Sequence, residues 1–292
     1  MARINRTIEL LTDGESVYYE GGHTGHVLSH EQGRQDAGTW ADYINIGMEH
    51  GAFDMTGLDQ YMRGLVDGGP TRSGHRTPTV IVESPVEAVS EEMVRFNAWQ
   101  FRQILARGVH GILLCMAESA GAVRAFVESC RYPIARIGVG DELSEGRRGV
   151  GSEPTTTQIW GVDRDEYVQR ADPWPLNPKG EMLLGLKIES RAALPHIEEI
   201  LSVPGIGFAE MGPGDLSMSL GHPRISDPWP EEILQVHERV RAACEANGVA
   251  FLASATPENV AEKIDAGARV IAGEREETAR AGRKHTGRRM PV

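Results

Sequence analysis

Three stretches of the sequence run apolar and then end in groups able to do chemistry. They are Asn45-Ile-Gly-Met-Glu-His50-Gly51, Leu186-Lys-Ile-Glu189-Ser190 and Met211-Gly-Pro-Gly-Asp215-Leu-Ser217. Glu189 directly follows an apolar run, where a carboxylate is costly to desolvate unless a cation or hydrogen-bond donors offset it. Asp215 sits in a Gly-Pro-Gly turn. Two carboxylates brought together, with waters, suit Mg²⁺ or Mn²⁺ better than zinc, which prefers nitrogen and sulfur. His50 is a candidate for acid–base work, since a histidine side chain changes charge near neutral pH more readily than any other. Plainer roles are open to the same residues: Glu189 as a helix cap, Asp215 as a turn former, His50 as a solvated histidine. Two further histidines, His23 and His26, follow another apolar run in Glu20-Gly-Gly-His-Thr-Gly-His.

Such groups need a scaffold that brings them to one place. Strand-like runs alternate with helix-like stretches along most of the chain, the pattern of a parallel sheet built from βα units. Eight strands are expected, over residues 16–20, 43–49, 79–82, 111–116, 182–189, 207–211, 249–253 and 269–272. Eight is the number of the (β/α)8 TIM barrel, whose reactive groups come from the carboxyl ends of its strands, where the three stretches lie. The fold class is therefore α/β, a single barrel domain over residues 1–292 with no interdomain linker.

Helices are expected over 120–130, stopped by Tyr132-Pro133, and over 231–246, stopped by Asn247-Gly248. Thr256-Pro257 reads as an N-cap with proline at the first helical position, and Ala266-Gly267 closes that helix. One segment breaks the rhythm. Residues 141–181 are too long for a plain connection and are expected to be a binding loop or an insertion with a small helix over 163–171, or else a simple surface insertion. Trp160, Trp174 and Phe53 are expected in loops at the carboxyl end of the barrel, packing against an aromatic or apolar substrate or anchoring those loops.

Composition narrows the function classes. With 30 Lys+Arg against 42 Asp+Glu the chain carries a formal charge of −12, which disfavours nucleic acid. No apolar run is long enough for a membrane span, and the first residues lack a signal-type apolar core. Cys115, Cys130 and Cys244 form no C-x-x-C pair, so a reducing, cytoplasmic setting is expected. Gly138-Val-Gly140 and Arg147-Arg-Gly-Val-Gly151 neither follow a strand nor open a helix, which argues against a nucleotide cofactor.

The block KIESRAALPHIEEILSVPGIGFAEMGPGDLSMSLGHP resembles the HpcH/HpaI aldolases, metal-dependent class II lyases that act on 2-oxo acids in a (β/α)8 barrel. Weaker similarity runs from about Tyr43 to Arg275, through MEHG at 48–51, ESCRYP at 128–133 and RRGVG at 147–151. The resemblance implies that Glu189 and Asp215 bind a divalent cation, Mg²⁺ or Mn²⁺ with Co²⁺ as a further candidate. It implies that His50 is the acid–base group and that a 2-oxo acid reacts through a metal-bound enolate. It also implies a homo-oligomer, with a last helix over 276–284 exchanged between subunits.

The departures from the family pattern are specific. Gly47 stands where an aspartate commonly precedes the histidine, and Ala106 where the histidine's aspartate partner is expected. The third strand ends in Glu83 in place of a carboxylate-binding arginine, the nearest Val-Arg being at Arg95, and Lys187 replaces a glutamine two residues before Glu189. Glu83 repels a substrate carboxylate and Lys187 attracts one, so a rebuilt anion site is expected. The candidate substrate contacts are Lys187, Glu83, Gly214, Ser217, His23, His26 and Trp160. Two other readings remain: the same scaffold performing a decarboxylation, a hydration or a specialised biosynthetic carbon–carbon step, and a barrel that binds metal or ligand without catalysis.

Overall fold

The computed structural model describes residues 2–272 and 275–288. Its strands are β1 (Val17–Gly22), β2 (Tyr43–Gly47), β3 (Thr79–Glu87), β4 (Gly111–Cys115), β5 (Pro173–Trp174), β6 (Met182–Ile188), β7 (Phe208–Met211), β8 (Ala250–Ser254) and β9 (Ala268–Ala272). All pairings are parallel. The ladder runs from β4 through β3, β2, β1, β9, β8 and β7 to β6, and β6 pairs back onto β4 to close an eight-stranded barrel. Two-residue β5 lies outside the ring, beside the start of β6. Each of the eight expected strands forms where the apolar runs placed it, the third continuing to Glu87.

Period-two alternation sorts the strand residues between two cores. Tyr43, Ile81, Leu113, Leu183 and Phe208 point inward and fill the barrel. Their neighbours Ile44, Val80, Ile112, Leu184 and Ala209 point outward into the layer shared with the helices. Gly185 has no side chain because the Phe208 ring occupies its place: a Cβ there would lie 2.3 Å from the ring.

Side-chain caps start several helices. Ser90, Ser119 and Asp163 each accept a hydrogen bond from an N–H three residues on, opening Glu91–Leu105, Ala120–Cys130 and Arg164–Arg170. The helix Glu231–Asn247 ends at Gly248, whose φ of +66° suits glycine. One start is displaced. Thr256-Pro257 does not open a helix, because the Asn259 side chain accepts the Thr256 N–H at 2.7 Å and holds a turn there, and the helix is Val260–Asp265.

The segment 141–181 forms two helices, Glu153–Trp160 and Arg164–Arg170, at the amino end of the barrel. This overturns the expectation that Trp160 and Trp174 lie in loops at the carboxyl end, while the small helix expected over 163–171 forms as Arg164–Arg170. The Trp160 indole stacks on His110 at 5.7 Å and donates to the Gly108 carbonyl, both just before β4. Arg170 pairs with Glu181, just before β6, while Trp174 in β5 packs beneath the barrel interior. Buried Arg131 holds Asp172 through two hydrogen bonds at 2.6 and 3.2 Å. The helix Arg6–Thr12 completes this floor: Glu181 accepts the Ile4 and Asn5 N–H groups, and Ile8 and Leu10 join the barrel interior.

The last helix, Glu276–Thr286, packs on its own barrel. Arg283 donates to the Trp40 carbonyl at 2.9 Å and pairs with buried Asp42, and Gly282 lets the helix approach Tyr18, whose oxygen would lie 2.2 Å from a Cβ at that position.

Asp172→Asn leaves the Arg131 guanidinium buried without its counter-charge, and unpairing a buried charge costs about 3–5 kcal/mol. The expected result is a fall of that size in unfolding free energy, read from urea denaturation. A loss below about 1 kcal/mol would show that this pair does not fasten the floor.

Candidate active site at the carboxyl end of the barrel

Above the apolar layer, the inward positions turn ionic. Two residues beyond Ile81, Leu113 and Phe208 come Glu83, Cys115 and Glu210, and two beyond Gly185 comes Lys187. Lys187 donates to Glu49 Oε2 at 2.7 Å and pairs with Glu83 Oε1. Burial disfavours its charge, but the surrounding acidic groups, Glu189, Glu210 and Glu83 among them, outweigh that and raise its pKa. Glu83, itself fully buried, faces the His23 ring, with Nδ1 lying 2.8 and 2.9 Å from its two oxygens. Burial alone would raise the Glu83 pKa, yet His23 and Lys187 together hold it below the ordinary value. The Glu83 hydrogen bond in turn raises the His23 pKa against the opposing effect of burial.

Glu189 is held from two sides. Its Oε1 accepts the Met116 N–H at 2.8 Å, and Met116 has a φ of +53°, the left-handed conformation that costs a residue bearing a Cβ about 1–2 kcal/mol. Its Oε2 lies against Gly212, where a Cβ would sit 2.4 Å away. Burial lifts the Glu189 pKa to about 8, with Glu49 and Glu210 adding to the effect and Lys187 opposing it. Asp215 is in the first turn of the helix Pro213–Ser219, exposed to the same cleft.

His23, His50, Lys187, Glu189, Glu210 and Asp215 all line one cleft of about 290 Å³. The structure thus brings together Glu189, Asp215 and His50, the three residues singled out first in the sequence. His50 is half exposed, with the nearest carboxylate oxygen, on Glu49, 3.7 Å away. Gly214 lines the cleft as well.

Four expectations are corrected. Trp160 lies at the opposite end of the barrel. His26 turns to Asp36 at 2.9 Å and meets Tyr61 edge-on, and it does not line the cleft. Ser217 is buried in the packing of its helix, away from the cleft surface. Lys187 is engaged by Glu49 and Glu83, so its charge serves the chain's own carboxylates instead of attracting a substrate's.

The sequence reading missed Glu49, Cys115, Glu210 and Trp229. For Glu210 a signal existed, an acid in phase with an inward phenylalanine in Phe208-Ala-Glu-Met. Trp229, which packs edge-on against His237 at 5.5 Å, supplies the cleft's aromatic wall.

The donor set suits a hard divalent cation. Glu49, Cys115 and Glu189 place donor atoms within 4.8 Å of one another. Burial raises the Cys115 pKa above that of a free thiol, and the carboxylate oxygens are the donors that a hard divalent cation prefers. Among the described residues, the carboxyl groups of Glu49, Glu83, Glu189, Glu210 and Asp215 outnumber the nearby basic groups, Lys187, His23 and His50, and a divalent ion would favour the ionised forms of Glu189 and Glu210 that burial disfavours.

Residues 81–273 match the family described as HpcH/HpaI aldolase/citrate lyase. Over 173 residues the chain is 32% identical to a 2-keto-3-deoxy-L-rhamnonate aldolase of Escherichia coli, a match covering 59% of this chain and 57% of that enzyme. The chain therefore spans little more than half the length of that relative. Among solved structures, an HpcH/HpaI aldolase/citrate lyase family protein from Burkholderia cenocepacia J2315 shares the fold with a TM-score of 0.70 at 23% identity, over 97% of this chain and 98% of the other. An HpcH/HpaI aldolase from Desulfitobacterium hafniense DCB-2 does so with a TM-score of 0.67 at 24% identity, over 97% and 96%.

Because its bond to Glu83 raises the His23 pKa, the pair adds stability below pH 6.5 that is lost as pH climbs through the raised value. In Glu83→Gln the His23 ring should titrate at lower pH than in the wild type, as followed by NMR of its ring protons. An unchanged titration would show that the contact does not form in solution.

Proposed function

The chain belongs to the HpcH/HpaI aldolase/citrate lyase family, and on that footing we propose that it is a metal-dependent lyase of the aldolase type, acting on the C3–C4 bond of a small 2-oxo acid. The observation that carries this reading is the pairing in one cleft of a buried carboxyl group, Glu189, with an accessible one, Asp215, with Glu210 beside them. These two residues would hold the ion, Mg²⁺ or Mn²⁺, with Co²⁺ as a further candidate. When bound, the ion supplies Lewis acidity that favours negative charge on the oxygen of the 2-oxo group.

The chain's own residues do the rest. His50, at the cleft surface, takes the proton from the hydroxyl of the aldol during cleavage and returns it in synthesis. Trp229 offers an apolar wall to the remainder of the substrate. Met116 and Gly212 keep the Glu189 carboxylate aimed at the cleft, one by its N–H and the other by its lack of a side chain.

The setting belongs to the same proposal. The three cysteines are buried and unpaired, which supports a reducing compartment such as the cytoplasm. No described helix is long and apolar enough to cross a membrane. Met93, Phe96 and Trp99 stand exposed on the helix Glu91–Leu105, an apolar surface of the kind that contacts between copies of a chain cover.

Two results test the assignment of roles. Glu189→Ala and Asp215→Ala should each abolish most Mn²⁺ binding in a titration followed by electron paramagnetic resonance, together with cleavage of pyruvate-derived aldols, since one carboxylate alone holds such an ion poorly. Mn²⁺ affinity unchanged in either variant would refute the site. His50→Ala should keep the wild-type Mn²⁺ affinity and lose about 10²–10⁴-fold in turnover, the usual contribution of a positioned acid–base group. Full turnover in that variant would remove His50 from the role.

A further inference from the structure

The proposed reaction moves two protons, and His50 accounts for one. In cleavage, the hydroxyl at C4 loses its proton, the C3–C4 bond breaks, and its electron pair passes into an enolate. The enolate carbon then takes a proton to become the product 2-oxo acid. A group placed to serve carbon as well as oxygen is therefore to be sought in the cleft.

His23 has that placement. Its Nδ1 faces both oxygens of Glu83 at 2.8 and 2.9 Å. Glu83 is fully buried and pinned from its other side by Lys187, which Glu49 anchors in turn. A carboxylate so fixed selects the tautomer: with the Nδ1 proton donated to Glu83, Nε2 is the basic nitrogen. The ring is 48% exposed and lines the cleft of Glu189 and Asp215. His50 has no such support, since its nearest carboxylate oxygen is 3.7 Å away and Gly47 and Ala106 stand where the family pattern offers aspartates.

We propose that His23, positioned by Glu83, is a second acid–base residue that carries the proton to and from C3 of the 2-oxo acid. Glu83 is then a positioning residue for a histidine, standing where the family pattern led us to expect an arginine. The charged groups facing His23 are Glu83 from β3, Lys187 from β6 and Glu210 from β7. The two glutamates favour its protonated form, and Lys187 and burial oppose it. This inference rests on the enolising reading above.

The test is exchange of the C3 protons of pyruvate for solvent deuterium by the Mn²⁺-loaded protein, followed by NMR. In exchange, the C3–H bond breaks, its proton goes to His23 Nε2, the electron pair enters the enolate, and a deuteron returns by the same route. His23→Gln should slow exchange about 100-fold or more with Mn²⁺ affinity unchanged. His50→Ala should keep exchange while losing aldol cleavage. In Glu83→Gln the rate should rise with pH at lower pH than in the wild type, because His23 has lost the carboxylate that retains its proton. A purely structural role would not move that limb.

Undiminished exchange in His23→Gln, an unmoved limb in Glu83→Gln, or a loss in His50→Ala as deep as in His23→Gln would each overturn the proposal. Absence of exchange in the wild type is a different result, which overturns the enolising reading and this inference with it.

Discussion

Lys187 stands inside the barrel with its ammonium between Glu49 and Glu83, nearly excluded from water. A buried charge survives only where its partners and their geometry compensate for lost hydration, so the positions of all three residues are coupled. Because Lys187 holds Glu83 ionised, the carboxylate can fix the His23 ring. Because it also holds Glu49, the loop after β2 stays beside Glu189, whose pKa rises in that company. Removing this one cation would leave carboxylates crowding a low-dielectric space, with consequences for both histidines and for the metal donors at once.

The two ends of the barrel do different work. At the amino end the insertion, the first helix and β5 close the floor through Arg131–Asp172 and Arg170–Glu181, with Trp160 stacked on His110. At the carboxyl end the chain leaves a cleft and accepts local costs, a left-handed Met116 and a buried Glu189, to aim donors into it. A floor tied down by buried pairs lets the opposite face tolerate unfavourable local geometry without loss of the fold.

Two glycines show how closely the layers are fitted. Gly185 yields its space to Phe208, which caps the apolar layer, and Gly212 yields its space to Glu189, which begins the polar one. Between them, within a few residues of β6 and β7, the barrel changes from a packed core to an ionic site.

The sequence by itself determined the eight strands, because apolar runs and stops are local, and it located His50, Glu189 and Asp215 as polar groups ending such runs. It also offered a small helix over 163–171, which forms as Arg164–Arg170, because the signals for so short an element lie within it. Only the tertiary structure decided that the 141–181 segment lies under the barrel, since the pair that ties it there joins residues 41 apart. Only the structure matched Lys187 with Glu49, 138 residues away, and His23 with Glu83. Period-two alternation tells which side chains face the barrel axis, but which of them meet is set by how the strands close around it and by their stagger, and neither is written in any one stretch of sequence.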